Sequence, residues 1–307
     1  MEDLIIIGGG PGGMNASLYA HRAGLKTKLV EGYILGGAMN NTGEVDNYLG
    51  LPSIQGGELS EVMGDHLAKF SQDDIIYDLV EEVKLKEDNT FEVVLSYNEN
   101  SLHAKAVIIA TGCVHKRLGI EGEEDWEGRG ISYCATCDGA FFKGKDVAVI
   151  GGGDTAVEDA IYLSGVANKV NVIHRRDAFR AEPILSDKLL SLPNVNVIWN
   201  AEADSLVIEN DKLTGLNLKT DQGDYNLKVE GVFIAIGVKP VLPKLSLGVD
   251  IVNQEGFIKT NENMETSVPG LYAIGDIRET DMRQIVTALG DGANSAKKVA
   301  DYLSRLV

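Results

Sequence analysis

The sequence predicts an α/β fold built from two related strand–turn–helix units, one inserted into the other. The first unit begins at Leu4, in "LIIIGGGPGGMNASLYAHRAGLKTKLVEG", and the second at Val147, in "VAVIGGGDTAVEDAIYLSGVANKVNVIHRR". Each reads as an apolar strand, a glycine cluster, a helix-compatible stretch and a second apolar strand. At 307 residues the chain is long enough for two domains, each with its own core.

Two further apolar runs that end in glycine indicate where the units stop. "VIIATG" (107–112) and "VFIAIG" (232–237) follow the first and second units, each after a candidate antiparallel segment, "FEVVLSY" or "LTGLNLKT". The segment 113–119 and the proline-bearing "GVKPVLPK" favour breaks on either side of the second unit. The predicted domains are therefore 1–115 with 243–307 for the first, and 116–242 for the inserted second.

Both glycine clusters have the spacing of a dinucleotide-binding loop. The fingerprint positions are Gly8, Gly10 and Gly13 in the first unit, and Gly151, Gly153 and Ala156 in the second. The first glycine permits a tight turn, the second lets the backbone approach a pyrophosphate, and the third small residue lets the helix pack on the strand. The pyrophosphate then accepts hydrogen bonds at the helix N-terminus. Tight packing alone is less favoured, because both copies follow a strand and precede a helix.

The residues that follow the second strand of each unit distinguish the two ligands. Glu31 stands eighteen residues after Gly13, where a carboxylate accepts hydrogen bonds from an adenosine ribose. His174 stands at the matching place in the second unit and opens "HRRDAFR". Arginines bind a 2′-phosphate, which an acid would repel. The first unit is thus predicted to bind FAD or NAD and the second NADPH, with a solvated basic face as the alternative for the arginines.

Composition excludes several classes of function. The net charge of −18 argues against general affinity for nucleic acid or an anionic membrane. No apolar stretch approaches the length that spans a bilayer, and the N-terminal "MEDLIIIGGG" is predicted to be a strand rather than a signal peptide. Three cysteines do not make a disulfide scaffold. A cytoplasmic location is the expectation.

Two of the cysteines form the segment "CATCD", with Cys134 and Cys137 followed by Asp138. A structural zinc site needs four ligands, and the third cysteine, Cys113, stands alone, so no metal is expected. A disulfide across two intervening residues closes too small a loop to stabilise the fold much. A redox couple is therefore the favoured interpretation. Cys113 is predicted to be a small buried residue without a catalytic role.

The last part of the chain, "LYAIGDIRETDMRQIVTALGDGANSAKKVADYL", is predicted to return to the first domain. Asp276 ends a strand, where a carboxylate can bind the ribityl chain of a flavin. The run 283–300 is predicted to be helical. Its Gly290 and Gly292 permit close approach to a cofactor or tight helix packing, and spacing alone does not choose between the two.

Together these motifs resemble low-molecular-weight, bacterial-type thioredoxin reductase over essentially the whole chain. In the family's order the sequence contains "LGGAMNNTGEVDNYLG", "VIIATG", "CATCDGAFF", "GGGDTAVEDA", "HRRDAFRAEPIL", "AIGD" and "RQIVTALGDGA". The resemblance is specific because "CATCD" lies just before the second unit, whereas glutathione-reductase-like relatives carry their redox pair early in the flavin domain. It implies two Rossmann-like domains of the three-layer ββα type, with FAD in the split domain and NADPH in the inserted one.

The resemblance also implies the residues of each site. Those expected to line FAD are Gly8, Gly10, Gly13, Glu31, Gly36, Gly37, Asn47, Thr111, Gly112, Gly275, Asp276, Arg283 and Gln284. Those expected to line NADPH are Gly151, Gly153, Thr155, Ala156, Glu158, His174, Arg175, Arg176 and Arg180.

The resemblance implies electron transfer from NADPH through FAD to the cysteine pair, and from the pair to oxidised thioredoxin. Cys137 is expected to face the flavin, Cys134 to attack the partner disulfide, and Asp138 to donate a proton, with a helix cap as the alternative for Asp138. A homodimer is expected. The junction near 113–119 and 238–243 is expected to act as a hinge about which the NADPH domain rotates.

A departure from the family pattern and four alternative functions accompany this interpretation. Ala38 stands where the family usually has glutamine, which removes a polar contact near the flavin. Flavoprotein peroxiredoxin reductases usually carry an extra N-terminal module, and this chain opens on the FAD motif. Ferredoxin–NADP reductases of the same architecture lack the cysteine pair. Reduction of another small dithiol protein and a non-catalytic NADPH sensor are the remaining alternatives.

Overall fold

The structure, a computed structural model, describes residues 1–42, 44–45, 47–98 and 100–306. The strands are β1 Glu2–Ile7, β2 Thr27–Glu31, β3 Glu44–Val45, β4 Ile54–Gln55, β5 Ile75–Tyr77, β6 Val80–Leu85, β7 Phe91–Leu95, β8 Leu102–Ile109, β9 Cys113–His115, β10 Ile131–Ser132, β11 Asp146–Gly151, β12 Lys169–His174, β13 Val195–Trp199, β14 Ala201–Glu209, β15 Lys212–Thr220, β16 Tyr225–Lys228, β17 Gly231–Ala235, β18 Val238–Pro240, β19 Lys244–Ser246 and β20 Leu271–Ala273. The helices are α1 Pro11–Arg22, α2 Gly56–Ser71, α3 Ala135–Asp138, α4 Asp154–Ser164, α5 Pro183–Leu190 and α6 Ile285–Leu303. Short 3-10 turns occupy Gly37–Asn41, Gln72–Asp74, Gly139–Phe142 and Gly275–Ile277.

The chain divides into two compact units. Unit 1 contains Met1–Val114 and Lys239–Val307, and unit 2 contains His115–Val238. Unit 2 is therefore inserted into unit 1 in sequence. A separate two-stranded ladder pairs β9 with β18.

Unit 1 is built on a sheet with the strand order β19-β6-β7-β8-β1-β2-β5, and β20 pairs with β8. The strands β2, β1, β8 and β20 run parallel, whereas β7 pairs antiparallel with both β6 and β8. The parallel register between β1 and β8 sets Ile7 opposite Ile109, so the segments that follow both strands leave from the same edge of the sheet. That edge carries the glycine turn and the "ATG" segment.

The strand β1 packs a different layer against each face. Leu4 and Ile6 belong to the core shared with α1, α2 and α6, whereas Ile5 and Ile7 belong to the core on the opposite face. A strand alternates its side chains between faces, so a continuous apolar run is what a strand buried on both sides requires. The burial of four successive apolar residues therefore identifies β1 as a central strand.

Unit 2 repeats this architecture. Its parallel sheet has the order β10-β17-β11-β12-β13, and a three-stranded antiparallel sheet, β14-β15-β16, is formed by the following segment. In β11, Val147 and Val149 pack with the helices, whereas Ala148 and Ile150 pack with residues of the antiparallel sheet. The predicted fold class, two Rossmann-like units with ββα layers, is confirmed.

The helix ends follow from local sequence. Pro11 occupies the first turn of α1, where its missing N–H is not needed and its fixed φ favours the helix. Gln284 caps α6 in a capping box with Thr287. Within the described ranges, no helix is both long and apolar enough to cross a membrane.

Candidate functional site

The turn between β1 and α1 is the first candidate dinucleotide site. Gly8 has a φ of +105°, and a Cβ there would collide with the Ala110 carbonyl. A Cβ on Gly13 would collide with the Gly8 carbonyl, so the helix packs directly on the strand end. Gly10, the N-cap of α1, faces open space, with no atom within 4 Å of a Cβ built on it. Tight turn, close packing and open approach are the three roles that the fingerprint requires.

Glu31 lies at the end of β2, beside this turn. Its Oε2 accepts the Gly9 N–H at 2.6 Å, and its Oε1 accepts the Tyr33 N–H at 3.1 Å. Gly36 donates its N–H to the Gly9 carbonyl at 2.8 Å. These bonds bring the Gly36–Gly37 segment against the glycine turn and fix the carboxylate next to it.

Thr111 and Gly112 follow β8 at the same edge of the sheet. The Thr111 Oγ1 is buried and has no hydrogen-bond partner among the described residues. A buried hydroxyl without a partner is costly unless a ligand supplies one. The orphaned hydroxyl and the open backbone at Gly10 fit a bound flavin dinucleotide.

Asp276 lies in the 3-10 turn after β20. Its Oδ2 is 3.9 Å from the Cys113 Sγ, and its main-chain carbonyl is 3.5 Å from the Arg283 Nε. Burial raises the pKa of the Asp276 carboxyl above its usual value, against the opposing charge of Arg283. Burial, together with the nearby Asp276 charge, raises the pKa of the Cys113 thiol to about 12. A thiol with that pKa stays protonated near neutrality and is a poor nucleophile.

The N-terminus of α6 carries the remaining predicted FAD residues. The Asn47 Nδ2 donates to the Gln284 Oε1 at 3.1 Å, so the structure brings these two distant positions together. The Arg283 guanidinium lies over the Phe257 ring, 4.4 Å from its centroid. All the residues predicted to line FAD lie in unit 1.

The turn between β11 and α4 is the second candidate dinucleotide site. A Cβ on Gly151 would collide with a β17 carbonyl, and the side chain of Ala156 is fully buried against the turn. Gly153 faces open space, as Gly10 does in the first unit. Thr155 and Glu158 are exposed on α4. The second loop therefore has the same division between packed and open positions as the first.

The three predicted 2′-phosphate arginines extend into solvent after β12. Arg175, Arg176 and Arg180 are exposed, and none has an ion-pair partner within the part of the chain that the structure describes. The Arg180 N–H donates to the Gly152 carbonyl at 2.7 Å. This bond brings the arginine segment to the edge of the glycine turn.

His174 differs from these arginines. It is only 5% exposed, and its Nε2 lies 3.1 Å from the Ala178 carbonyl. A Cβ on Gly152 would collide with the imidazole ring. Burial and the nearby arginine charges lower the pKa of His174, against the opposing effect of the Ala178 hydrogen bond. The structure thus places His174 beneath the glycine turn rather than beside the exposed arginines.

Cys134 and Cys137 form a disulfide at the start of α3. The Cys137 N–H lies 3.2 Å from the Cys134 Sγ, and the Thr136 Oγ1 lies 3.4 Å from the same sulfur. The buried Ser132 accepts the Cys134 N–H at 3.1 Å and lies 3.2 Å from the Cys134 carbonyl. Hydrogen-bond donors directed at a sulfur stabilise its thiolate.

The packing of α3 fixes the position of the pair. Ala135 is buried in the core that also contains α4. A Cβ on Gly139 would lie 2.8 Å from the Tyr162 ring and 3.1 Å from Leu163, so the turn after the pair lies close to α4. Asp138 donates its N–H to the Cys134 carbonyl at 3.1 Å. These contacts hold the disulfide against α4, the helix that begins at the second glycine turn.

A polar network beside Cys134 was not predicted from the sequence. The Glu123 carboxylate is 3% exposed and accepts the Tyr133 hydroxyl at 2.7 Å, as well as the N–H groups of Leu118 and Gly119. Arg117 donates to the same hydroxyl at 2.7 Å. Tyr133 directly precedes Cys134, so this network fixes the position of the residue next to the cysteine. A tyrosine beside a reactive cysteine was the only available sequence signal.

Comparison with known proteins agrees with this arrangement. The family model described as "Pyridine nucleotide-disulphide oxidoreductase" matches residues 2–292. A thioredoxin reductase of Bacillus subtilis is 46% identical over 99% of this chain and 95% of its own length, and one of Listeria monocytogenes is 44% identical over 99% and 94%. A crystal structure of thioredoxin reductase from Streptococcus pyogenes superposes with a TM-score of 0.92 at 42% identity, covering 99% of each chain.

The chain belongs to the pyridine nucleotide-disulphide oxidoreductase family, and within it to the thioredoxin reductases. The resemblance predicted from the motifs is thereby confirmed. Members of this group use a flavin and NADPH, which agrees with the two glycine turns and with the cysteine pair.

Proposed function

We propose that this chain is an NADPH-dependent flavoprotein disulfide reductase whose substrate is oxidised thioredoxin. The observation that carries the proposal is the Cys134–Cys137 disulfide at the start of α3, in a unit that also contains a dinucleotide turn with exposed arginines. The name shared by the relatives supports thioredoxin as the substrate. Within the part of the chain that the structure describes, neither the peroxiredoxin nor the sensor alternative has a structural feature in its favour.

The two cofactors are assigned to different units. FAD would bind unit 1, where the open backbone at Gly10 and the buried Thr111 hydroxyl fit a dinucleotide. NADPH would bind unit 2, where Arg176 and its neighbours would hold the 2′-phosphate. Bound flavin supplies a carrier that accepts a hydride and passes on two electrons.

Reduction of the substrate is thiol–disulfide exchange by the cysteine pair. In the dithiol form the Cys134 thiolate attacks one sulfur of the substrate disulfide; a mixed disulfide forms and one substrate thiolate leaves and takes up a proton. The Cys137 thiolate then attacks the Cys134 Sγ. This step re-forms the Cys134–Cys137 disulfide and releases the second substrate thiolate, so two electrons have passed to the substrate. Asp138 is the nearby acid that supplies a proton during reduction of the pair.

The surroundings of Cys134 support its role as the attacking residue. The Cys137 N–H and the Thr136 hydroxyl both lie within reach of its sulfur, and Ser132 holds its backbone. These donors favour the thiolate, which is the nucleophile in disulfide exchange.

We further propose a homodimer that acts in the cytoplasm. Tyr33, Ile34 and Leu49 of unit 1 are large apolar residues with exposures of 78%, 65% and 100%, as expected of side chains that a second copy covers. Cys113 is a free thiol, which suits a reducing compartment. Light scattering coupled to size-exclusion chromatography measures the assembly directly, and a monomeric mass would refute the dimer.

The first experiment is anaerobic oxidation of NADPH by the purified yellow protein, with and without oxidised thioredoxin. Turnover that depends on thioredoxin and disappears in Cys134→Ser is the expected result. Bleaching of the flavin without thioredoxin turnover would move the substrate to another dithiol protein. A colourless protein would contradict the flavin assignment.

A matched pair of variants tests which cysteine attacks. Cys137→Ser is expected to displace thionitrobenzoate from a thioredoxin activated at one cysteine, leaving a stable mixed disulfide that dithiothreitol reverses. Cys134→Ser is expected to release thionitrobenzoate far more slowly. The opposite ranking would exchange the two roles.

A further inference from the structure

A half-buried ion pair joins α6 to the turn that contains Asp276. The Arg278 Nε lies 2.7 Å from the Asp291 Oδ2, and the Arg278 Nη2 lies 3.2 Å from the Asp291 Oδ1. The two side chains are only 20% and 14% exposed. This is a bidentate arginine–carboxylate pair, the arrangement with the greatest geometric specificity. Nothing in the exchange chemistry of the cysteines uses it.

Asp291 also holds the backbone of the cofactor turn. Its Oδ2 accepts the Gly275 N–H at 3.0 Å, on the residue directly before Asp276. Gly275 has a φ of +67°, a conformation that a side chain would strain. On the other side, the Ile274 N–H donates to the Ile109 carbonyl of β8 at 3.0 Å. The turn is therefore fixed between the sheet and α6.

The same aspartate couples two segments that are proposed to contact the flavin. The first is the turn with Gly275 and Asp276. The second is the start of α6, where Arg283 and Gln284 precede the first helical residue. Asp291 lies about two turns further along that helix. A single carboxylate thus sets the position of the turn relative to the helix start, entirely within unit 1.

We propose that Asp291 is a positioning residue for FAD, which it serves by holding the Asp276 turn against α6 with Arg278 as its counter-ion. The inference rests on the proposed function in one respect, namely that FAD binds unit 1. The Asp291 carboxylate, bonded to the Gly275 N–H and to Arg278, fixes both segments before the ligand arrives. Binding therefore does not bear the cost of ordering them. Without the carboxylate, Gly275 loses a hydrogen-bond acceptor and Arg278 becomes a poorly hydrated charge without a counter-ion.

The test measures the FAD dissociation constant by titrating apoprotein and following the quenching of flavin fluorescence. Asp291→Ala is expected to weaken FAD binding by about tenfold or more, because the acceptor and the counter-ion are both lost. Asp291→Asn retains an oxygen for the Gly275 N–H, and Arg278→Met retains the whole carboxylate; both are expected to bind FAD better than Asp291→Ala does. Asp301→Asn removes an exposed carboxylate of the same helix, which pairs with Lys297 at 3.4 Å, and is the matched control.

A second readout separates positioning from a merely structural role. Melting temperatures of each variant are measured with and without saturating FAD, because ligand binding to the native state alone raises the melting temperature. The positioning role predicts that Asp291→Ala reduces the FAD-induced increase much more than it lowers the apoprotein value. The altered setting of the turn is also expected to change the visible circular dichroism of the bound flavin.

Two results would overturn the inference. One is a dissociation constant for Asp291→Ala within about twofold of the unmodified protein. The other is an equal fall in the melting temperatures of apoprotein and FAD-loaded protein. If Asp291→Ala does not fold, the FAD dissociation constants of Asp291→Asn and Arg278→Met are compared with that of Asp301→Asn. Weaker binding than in Asp301→Asn supports the inference, and equal binding overturns it. Failure of the unmodified protein to bind FAD would refute the proposed function instead.

Discussion

At the scale of single residues, the two units differ in whether a half-buried carboxyl group has a counter-ion. In unit 1 the half-buried carboxylate of Asp291 is paired with the guanidinium of Arg278. In unit 2 the carboxyl of Asp159 on α4 is half-buried, and among the described residues no hydrogen bond or ion pair is made to it. Burial raises the pKa of Asp159 to about 7, and the nearby charge of Glu158 adds to the increase. We therefore expect the free energy of unfolding near neutral pH to depend on the ionisation of Asp159.

Replacement of Asp159 by asparagine is expected to stabilise the protein, and the gain depends on pH. The folded-state pKa of about 7 lies above the ordinary aspartate value of 3.8, so the folded protein binds this proton more tightly than the unfolded chain does. Stability therefore falls as pH rises from about 4 to about 7, and stays low above that. We expect Asp159→Asn to gain roughly 2–4 kcal/mol near pH 8 and much less near pH 5.

Urea unfolding at several pH values measures this gain. Asp187→Asn, which replaces an exposed carboxylate on α5, serves as the control and is expected to give a small effect without a step near neutrality. A gain for Asp159→Asn that did not change between these pH values would contradict the prediction.

At the scale of elements, the contact between α1 and α6 explains the paired glycines near the C-terminus. A Cβ on Gly292 would collide with the Gly12 carbonyl and would lie 2.9 Å from the Ala16 N. Gly290 has open space around it. Of the two interpretations that the sequence left open, tight helix packing therefore applies to Gly292. Gly290 is open, as a position near a cofactor would be.

The two glycines provide an internally controlled prediction. Gly292→Ala is expected to push α6 away from α1 and cost about 1–3 kcal/mol of unfolding free energy, because overpacking a tight contact forces the backbone apart. Gly290→Ala is expected to gain up to about 1 kcal/mol in the apoprotein, because alanine favours the helix. Thermal unfolding of the apoprotein checks both. Equal effects of the same sign would refute the assignment of these roles.

Sequence predicts elements best where one residue type has few structural uses. The strand–glycine–helix turns were predictable because Gly8 and Gly151 occupy positions where any Cβ collides with the backbone. His174 was predictable as a position but not in its environment, because the Ala178 carbonyl that it faces depends on the path of the loop. The pairing of Asp291 with Arg278 could not be predicted, since many acidic residues in this chain are solvent-exposed and their spacing does not distinguish a half-buried one.

The same limit applies around the cysteine pair. The pair itself was predictable from "CATCD", because a CxxC segment has few chemical roles. The contacts of Ser132 with the Cys134 backbone depend on how β10 joins α3. The Tyr133–Glu123 hydrogen bond joins residues ten positions apart in a mostly irregular segment, and no periodic pattern specifies it.

At the scale of the whole molecule, unit 2 has the properties of a domain that folds alone. It is one continuous segment, His115–Val238, of 238 − 115 + 1 = 124 residues, which is a usual domain size. Both of its hydrophobic cores are formed by residues from within this segment. Unit 1, in contrast, needs two separate segments to complete its sheet, because β19 and β20 come from the C-terminal part.

A fragment of residues 115–238 is therefore expected to fold, to form the Cys134–Cys137 disulfide and to bind NADPH without FAD. Cooperative thermal unfolding by circular dichroism tests folding, and fluorescence titration tests binding. Because charge-assisted hydrogen bonds to phosphate are strong, Arg176→Ala is expected to weaken NADPH binding by about tenfold or more and to leave NADH binding nearly unchanged. Lys228→Gln removes an exposed charge on β16 and is the control. A folded fragment that bound NADPH and NADH equally would contradict the role of the arginines, and an unfolded one would show that unit 2 depends on unit 1.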